Sequence, residues 1–249
     1  MKTIVLSIVL FISTALVVTT DFITEQKKYA RVKQAYSDKE ELLTKKLKEV
    51  NLDLNNINIL ITVFKNEGEL TIYVKKKTEE KYKKLTSYQI CASSGELGPK
   101  CKQGDLQVPE GFYYINNFNP VSSYYLSLGI NYPNQADKIK STAPHLGGDI
   151  FIHGECVTIG CMPMTNDKIE EIYIYAIQAR QNGQLKIPVY IFPFNFSEKS
   201  NSGYKEQYQS NTELMSFWDN LKTGYDLFQS TSEEIKVSVD KNGNYNFKK

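Results

Sequence analysis

Between Ile57 and Phe192 the chain is a succession of short β-branched and aromatic runs, each stopped by glycine, proline or asparagine. This pattern constrains the fold most, because runs of roughly four to eight residues bounded by turn signals suit strands and are too short for ordinary helices. Ile57 to Phe64 and Leu70 to Val74 flank Lys65-Asn66-Glu67-Gly68-Glu69, whose glycine suits a hairpin turn. Tyr88 to Ala92, Phe112 to Ile115 and Ser122 to Ile130 follow, separated by the turn-rich stretches 93–100 and 104–111. Asn131 to Pro144 reads as a loop leading into a strand that ends at His153. Ile187 to Phe192 completes the series, with Pro188 near its start, where a missing donor is tolerated.

Helical patterns lie around this block. Glu25 to Val50 carries Tyr29, Val32, Ala35 and Tyr36 at helical spacing, then Leu42, Leu43 and Leu47. Asp167 to Gln181 shows one apolar stripe (Ile169, Ile172, Tyr173, Ala176, Ile177) and stops near Gly183; Thr212 to Phe228 is a second amphipathic pattern and carries the lone Trp218. The polar stretch Asn195 to Asn211 reads as a loop, and Ile235 to Val239 with Asn244 to Phe247 reads as a terminal hairpin turning at Asn242-Gly243. The expected fold class is α+β: a β-rich domain over 57–194, a helical segment over 21–56 and a helical extension over 195–249, with amphipathic helices at the periphery.

With 30 basic and 28 acidic residues the net charge is only +2, which gives no case for a nucleic-acid partner. Lys45-Lys46-Leu47-Lys48 and Lys75-Lys76-Lys77 read as solvated surface. Met1-Lys2 followed by the apolar run Ile4 to Val18 has the shape of an export signal over 1–20. Ser13-Thr14-Ala15 and Val18-Thr19-Thr20 are both imperfect cleavage sites, so an uncleaved N-terminal anchor stays open as the sole route to a membrane. The reading is a protein exported to an extracytoplasmic compartment. In that compartment disulfides form, and the four cysteines allow three pairings. A Cys91–Cys101 bridge and a Cys156–Cys161 bridge are both conceivable, and spacing does not choose.

The chemistry concentrates in Asp149 to Met164, which holds one of the two histidines and two of the four cysteines. A thiol with an ordinary pKa near 8.5 is a few per cent thiolate at neutral pH, so a nucleophilic cysteine needs a base. Eight residues separate His153 from Cys161, enough for the chain to leave a strand, turn at Gly160 and bring the thiol back beside the imidazole. The amides of Cys161 and its neighbours would then face an oxyanion. Equally weighted on spacing are a buried histidine with a Cys156–Cys161 disulfide, or a metal site. His153, Cys156 and Cys161, even with His145, fit no common zinc spacing, so no metal and no cofactor is expected.

His153-Gly154 followed by Thr158-Ile159-Gly160-Cys161 resembles the His-Gly…Ser/Thr-x-Gly-Cys signature of the L,D-transpeptidase catalytic-domain (YkuD-like) family. Val108-Pro109-Glu110-Gly111-Phe112-Tyr113 is similar to that family's Thr-Pro-x-Gly-Phe/Tyr stretch. Together with Ser94 to Lys100 and Asn131 to Asn134, it resembles most the YafK-like branch. The resemblance covers roughly Ile57 to Phe194. It implies an L,D-transpeptidase-like catalytic domain over 57–194 that performs cysteine-dependent acyl transfer on peptidoglycan stem peptides in cell-wall remodelling. Cys161 would be the nucleophile, His153 the general base, and Gly160, Thr158 and Gly154 the oxyanion and orienting positions. A hydrolytic amidase or carboxypeptidase releasing a protein or D-Ala, with a peptidoglycan-anchored protein as further partner, is the alternative, as is a non-catalytic wall-binding module of the same fold. One departure is visible: the family's arginine after Gly-Cys is replaced by Met162-Pro163-Met164.

Overall fold

The computed structural model describes residues 21–197 and 202–248. The segment read as an export signal or anchor lies outside them, and among the described residues no helix is long and apolar enough to cross a membrane. In chain order the elements are α1 (Phe22–Gln26), α2 (Ala30–Glu49), β1 (Ile57–Phe64), β2 (Glu69–Lys76), β3 (Lys83–Gln89), β4 (Gly111–Asn119) and β5 (Ser127–Ile130). They continue with α3 (Gln135–Lys140), β6 (Phe151–His153), β7 (Met162–Pro163), α4 (Asn166–Gln181), β8 (Ile187–Phe192), α5 (Ser202–Tyr208), α6 (Thr212–Thr231), β9 (Lys236–Val239) and β10 (Tyr245–Lys248).

Eight strands form one mixed sheet in the order β3-β2-β1-β8-β4-β5-β6-β7, and β9 pairs with β10 in a separate hairpin. β1 and β8 are parallel at its centre, with Ile61 opposite Val189, and β6 and β7 are parallel at one edge. The α+β class expected from the sequence is the class observed. β8 reads as an unbroken apolar run, and β1 as one interrupted only by Asn58 and Thr62, because both faces are covered. Ile57, Ile59, Ile61 and Val63 of β1, with Val189 and Ile191 of β8, pack in the core that contains α2 and α4. Leu60 and Phe64, with Tyr190 and Phe192, pack in a second core around Trp218 of α6. Strand alternation thus sends each run into two cores.

Several elements differ from the sequence reading. The helix expected over Glu25 to Val50 breaks between Gln26 and Ala30. β3 lies earlier than the Tyr88–Ala92 run, over a lysine-bearing edge strand that is mostly open to solvent. The loop expected over 131–144 contains α3, closed by a reciprocal capping box between Asn134 and Asp137. The stretch expected to loop out after Asn195 contains α5. In α4 every residue from Ile169 to Ala179 is buried, not one stripe, because α2 covers the face turned away from the sheet. Its two buried carboxylates are accommodated by partners: Tyr125 donates to Glu170 at 2.5 Å, and Tyr88 and Lys46 donate to Glu171 at 2.8 and 2.7 Å.

One buried polar knot fastens α6 to the sheet. Glu110 is fully buried; its Oε1 accepts from Lys65 Nζ at 3.0 Å and the Gly98 amide at 2.7 Å, and its Oε2 accepts from the Trp218 indole at 2.9 Å. Lys65 also donates to the Gly98 and Val108 carbonyls. Removing one partner of a buried pair strands the other, so Glu110→Ala is expected to cost about 3–5 kcal/mol. Urea unfolding measures this; a loss below about 1 kcal/mol, the range of exposed pairs, would show that the knot contributes little.

Candidate active site

The short parallel pair β6–β7 brings the two ends of the central motif together. Ile152 lies opposite Met162 and His153 opposite Pro163. Paired positions share a face and neighbours along a strand alternate. Ile152 and Met162 therefore go into the core, where both are buried. Cys161 is the residue that leads into β7, whose partner strand ends at His153, so the expected nucleophile and base both lie at this edge of the sheet.

Thr158 shapes the turn that presents the thiol. Its Oγ1 donates to the Cys161 carbonyl at 2.9 Å and accepts from the Cys161 and Gly160 amides at 2.8 and 3.2 Å. One hydroxyl hydrogen and both lone pairs are then engaged. This differs from the arrangement expected for an oxyanion site, in which the same amides face the cleft free of partners; a short hydroxyl side chain reaches them first. Gly160 is needed for two reasons: its φ is +132°, and a Cβ there would lie 3.0 Å from the Gln107 carbonyl. Gly154 is needed for close approach alone, since a Cβ would lie 2.6 Å from Asn166 Oδ1 and 3.0 Å from the Tyr124 carbonyl.

His153 is buried, and its Nδ1 lies 2.6 Å from the Gly154 carbonyl. A carbonyl only accepts, so the proton sits on Nδ1 and Nε2 keeps its lone pair, the form a general base requires. The Tyr124 ring packs on the imidazole with centroids 4.7 Å apart. The Cys161 thiol donates to the Asp149 carbonyl at 3.6 Å, from a residue held at φ +56°. Burial pushes the thiol above its ordinary value; the Phe151 amide lowers it, Asp149 raises it further and Lys100 opposes. Burial also holds the His153 imidazole below its usual range, against the Gly154 carbonyl and Glu155. The pair is therefore a neutral thiol and a neutral imidazole.

Cys91 and Cys156 form a disulfide across 65 residues, leaving Cys101 and Cys161 free. This is neither of the two bridges that spacing suggested. It removes Cys156 from any zinc set and leaves Cys161 unmasked. Among the described residues no group of three or more histidine, cysteine or acidic side chains could hold a metal. A cleft of about 490 Å³ opens beside the thiol, bounded by the β1–β2 turn at Asn66 to Gly68, by Ser93 to Leu97 after β3, and by Cys91, Cys161 and Met162. Tyr124, Asp149 and Cys91 were not singled out as site residues in the sequence. Tyr124 sat in an aromatic run that read as strand, and nothing in its spacing ties it to His153.

The family description YkuD, the L,D-transpeptidase catalytic domain, matches residues 58–191. The chain belongs to the L,D-transpeptidase catalytic-domain family. Within it, YafK of Escherichia coli K12, provisionally named an L,D-transpeptidase, is 40% identical over 200 residues, covering 80% of this chain and 77% of that protein. YafK of Escherichia coli O157:H7 matches equally. Among solved structures, the helical cell shape determining protein Pgp2 from Campylobacter jejuni aligns over 79% of this chain and 80% of its own, with a TM-score of 0.45 and 19% identity. The family match runs from β1 into β8 and leaves α1, α2 and α6 outside it. Pro163 stands where the family signature led us to expect arginine, and its register opposite His153 puts that missing guanidinium on the site's face.

Proposed function

We propose that the protein is a cysteine-dependent acyl-transfer enzyme acting on peptidoglycan stem peptides, exported to the bacterial cell envelope for cell-wall remodelling. The observation that carries this reading is a free Cys161 thiol opening on a cleft in an L,D-transpeptidase family domain, with the buried His153, held through Nδ1 by the Gly154 carbonyl, at the end of the neighbouring strand. Nε2 takes the thiol proton as Sγ attacks the carbonyl of the stem's third residue. The C–N bond to D-Ala breaks, the imidazolium returns its proton to the leaving amine, and a thioester remains on Cys161. An acceptor amine or water then attacks that carbonyl, Nε2 takes the proton, and the thiolate leaves. The oxyanion formed in each step meets the Gly160–Cys161 turn, where the amides exchange Thr158 Oγ1 for the substrate oxygen. Gly154 lets the Tyr124 segment close against the base.

Pro163 favours a second reading of the final step. A guanidinium there would orient a carboxylate; proline offers no donor, and Met162 and Met164 are both buried. A site that does not orient an acceptor stem is open to water, and the protein would then act as a hydrolase freeing D-Ala or a peptidoglycan-linked protein. Purified protein incubated with tetrapeptide muropeptides tests both. Wild type is expected to release D-Ala and Cys161→Ala to release none; equal turnover by the two would reject the assignment. Cross-linked dimers among the products identify transfer, and tripeptides alone identify hydrolysis.

A further inference from the structure

The helix α2 lies outside the span matched by the family, yet one of its side chains reaches the catalytic histidine's neighbourhood. Arg31 Nη1 donates to the Ser122 carbonyl at 2.6 Å and to the Tyr125 carbonyl at 2.7 Å. Its guanidinium carbon lies 5.5 Å from the centroid of the Tyr125 ring. Two carbonyls three residues apart within the short β4–β5 connection are thus tied to one group. Between them sits Tyr124, whose amide donates to Ser122 Oγ at 3.0 Å and whose ring covers His153. The connection then closes on the base from the other side: the Gly154 amide donates to the Leu126 carbonyl at 3.0 Å.

The tie is needed because the segment is not at rest by itself. Tyr125 has φ +68°, a left-handed conformation that is disfavoured for a bulky non-glycine residue. It is held from two helices at once, by Arg31 of α2 through its carbonyl and ring and by Glu170 of α4 through its hydroxyl at 2.5 Å. Tyr124 itself is 42% exposed, so without the tie little packing would keep its ring on the imidazole. We propose that Arg31 is a positioning residue for His153: by fixing Ser122 and Tyr125 it holds the Tyr124 ring over the imidazole, so that the N-terminal helix is part of the working site. The catalytic consequence rests on His153 being the general base. The groups facing that ring are Tyr124, the Gly154 carbonyl and Glu155.

Three variants test the proposal. Arg31→Met removes the donors at similar length, Arg31→Lys keeps a cation and a donor, and Tyr124→Leu removes the far end of the same chain of contacts. The first readout is the imidazole titration by NMR, tractable because the chain has only two histidines. The second is kcat and KM on muropeptides, with thermal unfolding to verify the fold. In Arg31→Met and Tyr124→Leu the His153 midpoint is expected to rise towards that of a solvated imidazole. kcat is expected to fall about ten- to a hundredfold, the cost of a displaced catalytic group, with KM within about twofold. Arg31→Lys should lie between these and wild type. A folded Arg31→Met protein with an unchanged midpoint and unchanged kcat overturns the proposal. If Arg31→Met does not fold, Tyr124→Leu decides, and an unmoved midpoint there overturns it equally. If the wild type itself turns over no muropeptide, the enzymatic reading fails, and the His153 midpoints alone decide whether Arg31 acts on the ring.

Discussion

His153→Ala is expected to slow stem-peptide turnover by about 10²–10⁴-fold at neutral pH, the range that a positioned general base supplies. The expectation follows from the protonation state of the pair. Burial raises the thiol, and the Phe151 amide offsets this in part; burial also lowers the imidazole. Both groups are neutral near pH 7, so little thiolate exists before substrate arrives and the proton must move during attack. The sign of the pH dependence follows. Wild-type kcat/KM should fall as His153 becomes protonated, and because its pKa is depressed in the fold, that acid limb lies below about 6.5. The variant has no base to lose. Its residual rate should climb with pH towards the ionisation of a thiol held above its ordinary value, so the gap between the two proteins narrows in alkali. A preformed imidazolium–thiolate pair predicts something different: fast alkylation of wild-type Cys161 by iodoacetamide already at pH 5. Alkylation as rapid at pH 5 as at pH 8 would refute the neutral pair, and a His153→Ala rate within about threefold of wild type, far short of what a positioned base supplies, would refute the base.

How far such a site can be read from sequence depends on whether its parts are neighbours in the chain. The turn at Thr158 to Cys161 is local: a hydroxyl two and three residues before two amides, and a glycine at φ +132°, are consequences of adjacent residues. β1 and β8 were legible because burial on both faces leaves a nearly continuous apolar run, interrupted in β1 only by Asn58 and Thr62. β3 was misplaced because an edge strand carries lysines and lacks that run. α3 was missed because six mostly polar residues offer no stripe, although the Asn134/Asp137 capping box was there to be read. α4 showed only one apolar stripe in sequence, and the burial of Glu170 and Glu171 is explained by tertiary partners, Tyr125, Tyr88 and Lys46. Tyr124 over His153 and Arg31 beneath Tyr125 arise from the packing of three separate elements, which no spacing records.

The same distinction applies to the Cys91–Cys156 bridge, and opening it should be among the largest perturbations available. The bridge joins the end of β3 to the turn that follows β6, two places far apart in the sheet order. Closing a loop across 65 residues removes chain entropy from the unfolded state, worth about 4 kcal/mol on the usual loop-length scaling. The tie is reinforced on the Cys91 side, where the amide donates to the Pro163 carbonyl at 3.0 Å and the Sγ lies 3.4 Å from the same oxygen. Cys91 and Cys161 also border one cleft, so the bridge fixes a wall of the site as well as the fold. A Cys91→Ser, Cys156→Ser double variant is expected to lose about 4 kcal/mol in denaturant unfolding and to turn over substrate more slowly, because the Thr158–Cys161 turn loses its anchor. Reductant should bring wild type down to the double variant and leave the variant unmoved. The thiols supply an independent measure. Without reductant, alkylation of the unfolded wild-type chain should label two cysteines, Cys101 and Cys161, and after reduction four. Four labels without reductant, or equal stabilities with and without it, would mean that no bridge forms. In that event Cys156 is again free to pair with Cys161, and the nucleophile's availability would depend on the redox state of its surroundings.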